Sequence, residues 1–233
     1  MISQKNKLNK LKNFMSNNKN KKVYVIWGGN GNARWLEQLG FKPTANYEEA
    51  DLALFTGGED IAPSFYNELP GRCTYTNRER DKTELIAYNY FKERGVPFVG
   101  ICRGGQLLTA MAGGKLVQDS NHPGSHIIHT YDGQELRTNS LHHQQFLVEP
   151  SITGLVEGED FKIIAWTNKL SKQHLDQNDQ DYNFPADYKE PEIAIYPKIK
   201  GFAIQWHPEM MDVESPAVQY TLEQLKLFLE GKL

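Results

Sequence analysis

The sequence predicts a three-layer α/β/α domain built around a central, mostly parallel sheet. Two observations carry this expectation. In the first half of the chain, short apolar runs alternate with amphipathic segments of helical length, the pattern of consecutive β–α–β units. These runs also end at Gly28-Gly29, Gly57-Gly58 and Cys102. Ligands gather at the C-terminal ends of strands in such sheets, so Gly57-Gly58 and Cys102 are expected on one rim.

The elements follow in order. Residues 23–27 form a buried strand, and 33–39 form a helix stopped by Gly40. Residues 51–56 are a second strand. A helix is expected from Asp81, with Glu84 at capping-box spacing and Ile86, Ala87, Tyr90 and Phe91 on one face. Gly95 ends it and Pro97 follows, opening a third strand over 97–101. A helix over 104–112 then stops at Gly113-Gly114. In the second half, 161–166, 192–196 and 202–206 read as strands. Between the first two lies a polar stretch, 168–190, expected to be a mobile lid or a tolerated insertion. The last helix has Ser215 as N-cap, Pro216 at its first position, and Val218, Leu222, Leu225 and Leu229 on one stripe.

At 233 residues the chain is long enough for one α/β domain with a well-buried core. Residues 1–22 hold seven lysines and no acid, leaving 19 of the 26 basic residues against all 29 acidic ones. We therefore divide the chain into a basic N-terminal extension, 1–22, and a catalytic domain, 23–233. The acidic body argues against a broad nucleic-acid face. No apolar stretch is long enough to cross a bilayer, and no secretory signal pattern opens the chain. The two cysteines, Cys73 and Cys102, fit a reducing, cytoplasmic setting better than a disulfide framework.

Three short motifs carry chemistry. Gly100-Ile101-Cys102-Arg103-Gly104 has the G-x-C-x-G form of a nucleophile elbow between a strand and a helix. A sharp turn there lifts the sulfur above the sheet, and the helix N-terminus favours the thiolate, the reactive form. Taken alone, the same motif also fits a small buried cysteine ending a core strand. Gln205-Trp206-His207-Pro208-Glu209 supplies His207 as a base and Glu209, two residues on, to orient its ring. Thr56-Gly57-Gly58-Glu59-Asp60 offers a backbone able to approach a substrate closely. The N–H groups of Gly58 and Arg103 are the expected oxyanion donors.

Together these motifs resemble the class I glutamine amidotransferase family, whose fold is flavodoxin-like. Residues 57–66, Arg80-Asp81, residues 114–119 and the run Asn139-Ser140-Leu141-His142-His143-Gln144 are similar to its γ-glutamyl hydrolase branch, peptidase family C26. The resemblance covers about residues 23–230. It implies a triad of Cys102, His207 and Glu209 that cleaves the γ-amide of glutamine through a γ-glutamyl thioester. It further implies substrate contacts from Gln106, Ser140, Leu141 and, more weakly, His142. Glu59-Asp60 departs from the Gly-Pro that follows the glycines in many amidotransferases. The ammonia would pass to a separate synthetase partner. Alternatively, the chain is a stand-alone hydrolase of γ-glutamyl amines or peptides, or a binding module that kept only the fold. No cofactor is implied.

His122, His126 and His129 invite a metal reading, but Pro123-Gly124 breaks any helix that would align them. No carboxylate or thiolate lies beside them at ligand spacing, so no metal is expected. Gly28-Gly29-Asn30-Gly31 lacks both the dinucleotide fingerprint and a phosphate-loop lysine, and reads as a turn.

Overall fold

A computed structural model describes residues 20–120, 122, 124–148 and 160–233. Most of the basic N-terminal extension, residues 1–19, lies outside the described residues, as does Pro123. The strands are β1 (Lys22–Ile26), β2 (Lys42–Thr44), β3 (Leu52–Phe55), β4 (Phe98–Ile101), β5 (Lys115–Val117), β6 (Asp119–Ser120) and β7 (His126–Thr130). They continue with β8 (Glu135–Thr138), β9 (Gln145–Leu147), β10 (Lys162–Asn168), β11 (His174–Leu175), β12 (Lys189–Tyr196) and β13 (Gly201–Ile204). Three α-helices accompany them: α1 (Arg78–Glu93), α2 (Arg103–Met111) and α3 (Pro216–Leu229).

Nine strands make one sheet in the order β2-β1-β3-β4-β13-β12-β10-β7-β8. The β2, β1, β3, β4 and β13 strands run parallel to their neighbours, and the pairs from β13 to β8 are antiparallel. Alternation along each central strand sorts side chains to two faces. Leu52, Leu54, Val99, Ile101, Phe202 and Ile204 pack with α3 and a 3-10 helix, Asn30–Leu39. Ala53, Phe55, Phe98 and Ala203 pack with α1 and α2 on the other face. The architecture is the expected α/β fold, with helices covering both sides of a large sheet whose β2-to-β13 half is parallel.

Several local expectations need correction. The 33–39 segment is a 3-10 helix. Helix α1 begins at Arg78 rather than Asp81, and Asn77 caps it by accepting from the Arg80 N–H at 3.2 Å. Its inward stripe is therefore Arg80, Glu84, Tyr88 and Phe91, while Ile86 is 62% exposed. Asp81 and Glu84 are buried partners of arginines. Ser215 occupies the N-cap of α3 without a side-chain capping bond.

The 168–190 stretch is neither structureless nor peripheral. Its β11 pairs with β6, and Phe184 and Tyr188 pack on Val117 and Leu147 in a small core of their own. The side chains of Phe184 and Tyr188 stack at 3.9 Å between ring centroids. Apolar anchors spaced through a polar sequence hold this segment down.

Candidate functional site

The strand pairing that joins β4 to β13 brings Cys102 and His207 together. Ile101 lies opposite Ile204 in that parallel pair, and the Cys102 N–H donates to the Ile204 carbonyl at 2.6 Å. Cys102 follows the end of β4 and caps α2 with φ 50° and ψ −109°, a conformation sparsely populated by side-chain-bearing residues. The turn is feasible because Gly104 has no side chain: a Cβ there would come within 2.3 Å of the Phe55 carbonyl oxygen. Helix α2 thus presses its first turn against β3 and points its N-terminus at the sulfur's side of the sheet.

His207 follows β13 by three residues and is buried. Its Nδ1 bonds to Glu209 Oε1 at 2.8 Å, and its ring lies beside the Cys102 side chain. Burial opposes a charged ring here. The Cys102 and Glu209 contacts and charges outweigh it, and the His207 pKa is raised from 6.5 to about 10. The backbone of His207 is clamped as well. Asn139 donates through Nδ2 to the His207 carbonyl at 2.9 Å and accepts at Oδ1 from the His207 N–H at 2.9 Å.

The third loop arrives from β3. A Cβ on Gly57 would lie 2.5 Å from His207 Cε1, so glycine lets this loop lie flat on the imidazole. Gly58 has φ +150°, and a Cβ there would meet Arg80 Nη1 at 2.0 Å. Cys102, His207, Glu209 and the Gly57-Gly58 loop therefore share one locus. Arg103 occupies the first position of α2, where a helix has no intrahelical acceptor for its N–H.

Beneath that locus runs a buried ionic network. The Arg80 guanidinium donates through Nη2 to the carbonyls of Thr56 and Gly57, each at 2.9 Å. Through Nε it donates to Glu84 Oε1 at 2.8 Å, and through Nη1 to Glu59 Oε2 at 3.0 Å. Glu84 uses its other oxygen to accept from Arg103 Nη1, and Arg103 Nη2 reaches Asp81 Oδ1 at 2.6 Å. Arg80, Glu84 and the Arg103 side chain are nearly inaccessible to solvent. Glu84 thus joins Arg103, which bears one expected oxyanion donor, to Arg80, which holds the Gly57-Gly58 peptide that carries the other.

The four expected substrate contacts fall around the 139–144 segment. Gln106 is buried and donates to the Gln144 carbonyl at 3.2 Å, and His142 Nδ1 bonds to the same carbonyl at 2.9 Å. Ser140 Oγ pairs with His122 Nδ1 at 3.1 Å. The Leu141 side chain is 66% exposed. Asn139 ties this segment directly to His207.

Sequence reasoning noticed Arg80 and Asn139 only as motif members and missed their mechanical roles. It also missed carboxylates near the histidines. His129 faces Glu135 on the outer strands, but His122 and His126 meet His142, Glu190 and Glu192 in the interior. Both acids come from β12, far along the chain.

Residues 42–209 match the family model described as Peptidase C26. The glutamine amidotransferase-like protein YvdE of Lactococcus lactis subsp. lactis (strain IL1403) is 28% identical over 183 residues, which span 68% of this chain and 66% of that protein. The crystal structure of a glutamine amidotransferase from Thermotoga maritima superposes with TM-score 0.52 at 14% identity, covering 91% of this chain and 97% of the other. PurLQS from the same organism gives TM-score 0.53 at 16% identity, covering 89% and 97%. At these identities the structural likeness speaks to the fold.

Proposed function

Because the chain belongs to the peptidase C26 family of class I glutamine amidotransferase-like proteins, we propose that it hydrolyses a γ-glutamyl amide bond through a thioester on Cys102. The observation that supports this reading is the placement of Cys102 beside the His207 ring, whose Nδ1 bonds to Glu209 Oε1. The Cys102 sulfur attacks the γ-carbonyl carbon, and the carbonyl oxygen becomes an oxyanion facing the N–H groups of Gly58 and Arg103. Two such donors are worth about 10²–10³ in rate each. As the oxyanion collapses, the C–N bond breaks and His207 gives its proton to the departing nitrogen. Water then attacks the thioester, returning a proton to His207 and freeing the γ-carboxylate and the Cys102 sulfur. Glu209 keeps the imidazole oriented and stabilises its charge. Gln106, Ser140, Leu141 and His142 form the wall for the amino-acid end of the substrate.

Between a partner-dependent glutaminase and a self-sufficient hydrolase, the Arg80 tether favours the second. The Gly57-Gly58 loop is pinned from inside the chain, which supports a Gly58 donor that needs no synthetase docked beside it. Glutamine is the simplest substrate of this class, and a bulkier γ-glutamyl amine is the alternative leaving-group chemistry. Delivery of ammonia to a separate synthetase is the second reading.

The test is intact-mass analysis of the protein quenched during turnover of glutamine or a γ-glutamyl amine. A γ-glutamyl adduct on Cys102, absent in Cys102→Ser, is the expected result. Unimpaired turnover by Cys102→Ser overturns the assignment. Activity on glutamine that appears only with an added synthetase would select the second reading.

A further inference from the structure

Among the described residues, a buried cluster of imidazoles and carboxylates lies outside the reacting groups. It draws on four separate parts of the chain: the 122–126 stretch, the 139–144 segment, β11 and β12. A ring nitrogen of His122, one of His142 and a carboxylate oxygen of Glu192 lie within 4.8 Å of one another. The two imidazole rings lie 4.5 Å apart between centroids, tilted by 35° to each other.

Each of these three groups is already held from behind. His142 Nδ1 lies 2.9 Å from the Gln144 carbonyl, an acceptor that requires the proton on Nδ1. This leaves a lone pair on Nε2, which is buried and meets no hydrogen-bond partner. His122 Nδ1 is engaged by Ser140 Oγ at 3.1 Å, and its Nε2 faces Glu190 and Glu192 at 3.0 and 3.8 Å. Glu192 Oε1 is taken by His126 Nε2 at 2.8 Å, while its Oε2 is buried and has no hydrogen-bond partner. Each of these two buried acceptors costs free energy while it lacks a partner. A cation that accepts both removes that penalty.

We propose that His122, His142 and Glu192 bind a divalent first-row transition metal ion, with Zn²⁺ as the best match. Two imidazoles and a carboxylate are a zinc-type donor set, too nitrogen-rich for Ca²⁺ or Mg²⁺. The backing groups do what outer partners of metal ligands do: they fix the tautomer and turn the ring. The Gln144 carbonyl and Ser140 serve the two histidines, and His126 serves Glu192. The neighbouring Glu190 belongs to this outer ring too. Its Oε1 is occupied by the N–H groups of Leu170 and Ser171, both at 3.0 Å, and by His174 Nε2 at 2.9 Å. The ion would cross-link β12 to the 139–144 segment, whose Asn139 clamps His207. Its role is structural support for the wall of the site, with no part in bond cleavage. The proposal replaces the expectation of no metal. That expectation rested on the absence of nearby carboxylates in sequence, and β12 supplies two in space.

The test uses the full chain carrying Cys102→Ser, so that metal bound at the reactive thiol cannot be mistaken for this site. The chain is stripped with a chelator and then titrated with Zn²⁺ against a competing chromophoric chelator, with metal content read by mass spectrometry. Thermal unfolding is followed in parallel. The expected result is one Zn²⁺ per chain and a higher Tm on loading. Glu192→Gln and His142→Asn should each weaken binding by more than the roughly 10–100-fold that loss of an outer partner costs, and abolish the Tm gain. Co²⁺ loading supplies a readout that needs no variant to fold: a visible absorption band of a nitrogen- and oxygen-ligated ion is expected. Zn²⁺ binding unchanged in both variants, or a stripped chain that takes up neither Zn²⁺ nor Co²⁺, overturns the proposal. This outcome is separable from the hydrolase reading, which is decided by the adduct on Cys102.

Discussion

Arg80 donates a hydrogen bond to the Gly57 carbonyl at 2.9 Å, across 23 residues of sequence. Arg80 touches no reacting atom in the proposed reaction, so it is a positioning residue. Arg80→Ala should lower kcat by roughly 10²–10³, the worth of one oxyanion donor, with a much smaller change in KM. Arg80→Lys should not rescue it, because an ammonium cannot replace the fork that spans Thr56, Gly57, Glu59 and Glu84. Steady-state kinetics with a γ-glutamyl amine check the split. A loss confined to KM would argue against the role.

Glu84 serves Arg80 and Arg103 together, and its removal leaves two buried guanidinium groups short of an anion. Glu84→Ala should cost about 3–5 kcal/mol of stability, the usual result of breaking a buried ion pair from one side. Urea unfolding measures it. A loss under about 1 kcal/mol would mean that the network is solvated in solution.

Glu209→Gln should reduce kcat by about 10²–10⁴, the range for a mispositioned or mis-tautomerised base. Asn139→Ala removes two bonds to the His207 backbone, and should cost about 1–3 kcal/mol. Measuring kinetics and unfolding on both separates ring orientation from backbone placement.

Stability should fall with rising pH through a defined window. The folded-state pKa of His207 is raised to about 10, against 6.5 for the free side chain. Between those values the folded protein holds a proton that the unfolded chain releases. The contribution is therefore complete below about pH 6.5 and lost as pH rises toward 10. Urea midpoints measured across that interval should decline, and the decline should be shallower in Glu209→Gln. Equal slopes in both proteins would contradict the assigned protonation.

Gly104→Ala should disrupt the fold, since its Cβ would press on the backbone carbonyl of Phe55. A cost of at least ~1–3 kcal/mol is expected from overpacking. Gly29→Ala is the matched control: φ is −88° and nothing lies within 4 Å of its Cβ position. It should leave thermal unfolding nearly unchanged.

The legible parts of the molecule were those written locally. Apolar runs bounded by glycine located β1, β3, β4 and β13, and the G-x-C-x-G turn located Cys102. The spacing of His207 to Glu209 survives as a hydrogen bond because the two sit on one short turn. What local pattern could not carry was partnership across distance. The stretch from Lys42 to Thr44 contains a proline and covers three residues, too little for a strand signal, yet it pairs with β1. Arg80 stands out in sequence only as a motif member and Glu84 only by its capping-box spacing, and the β3 loop and α2 reveal what they hold. The 168–190 segment looked solvated because its anchors, His174, Phe184 and Tyr188, are scattered among polar residues.

The strand that delivers His207 is inserted between β4 and β12, in the middle of the sheet, although it comes last of all strands in the chain. During synthesis the β4 edge must wait, unpaired, until that late strand leaves the ribosome. A nascent chain at this stage displays a sticky, hydrogen-bond-hungry margin and depends on speed or chaperones to avoid pairing with a neighbour. Until β13 has emerged it also lacks His207, the base that the proposed reaction needs.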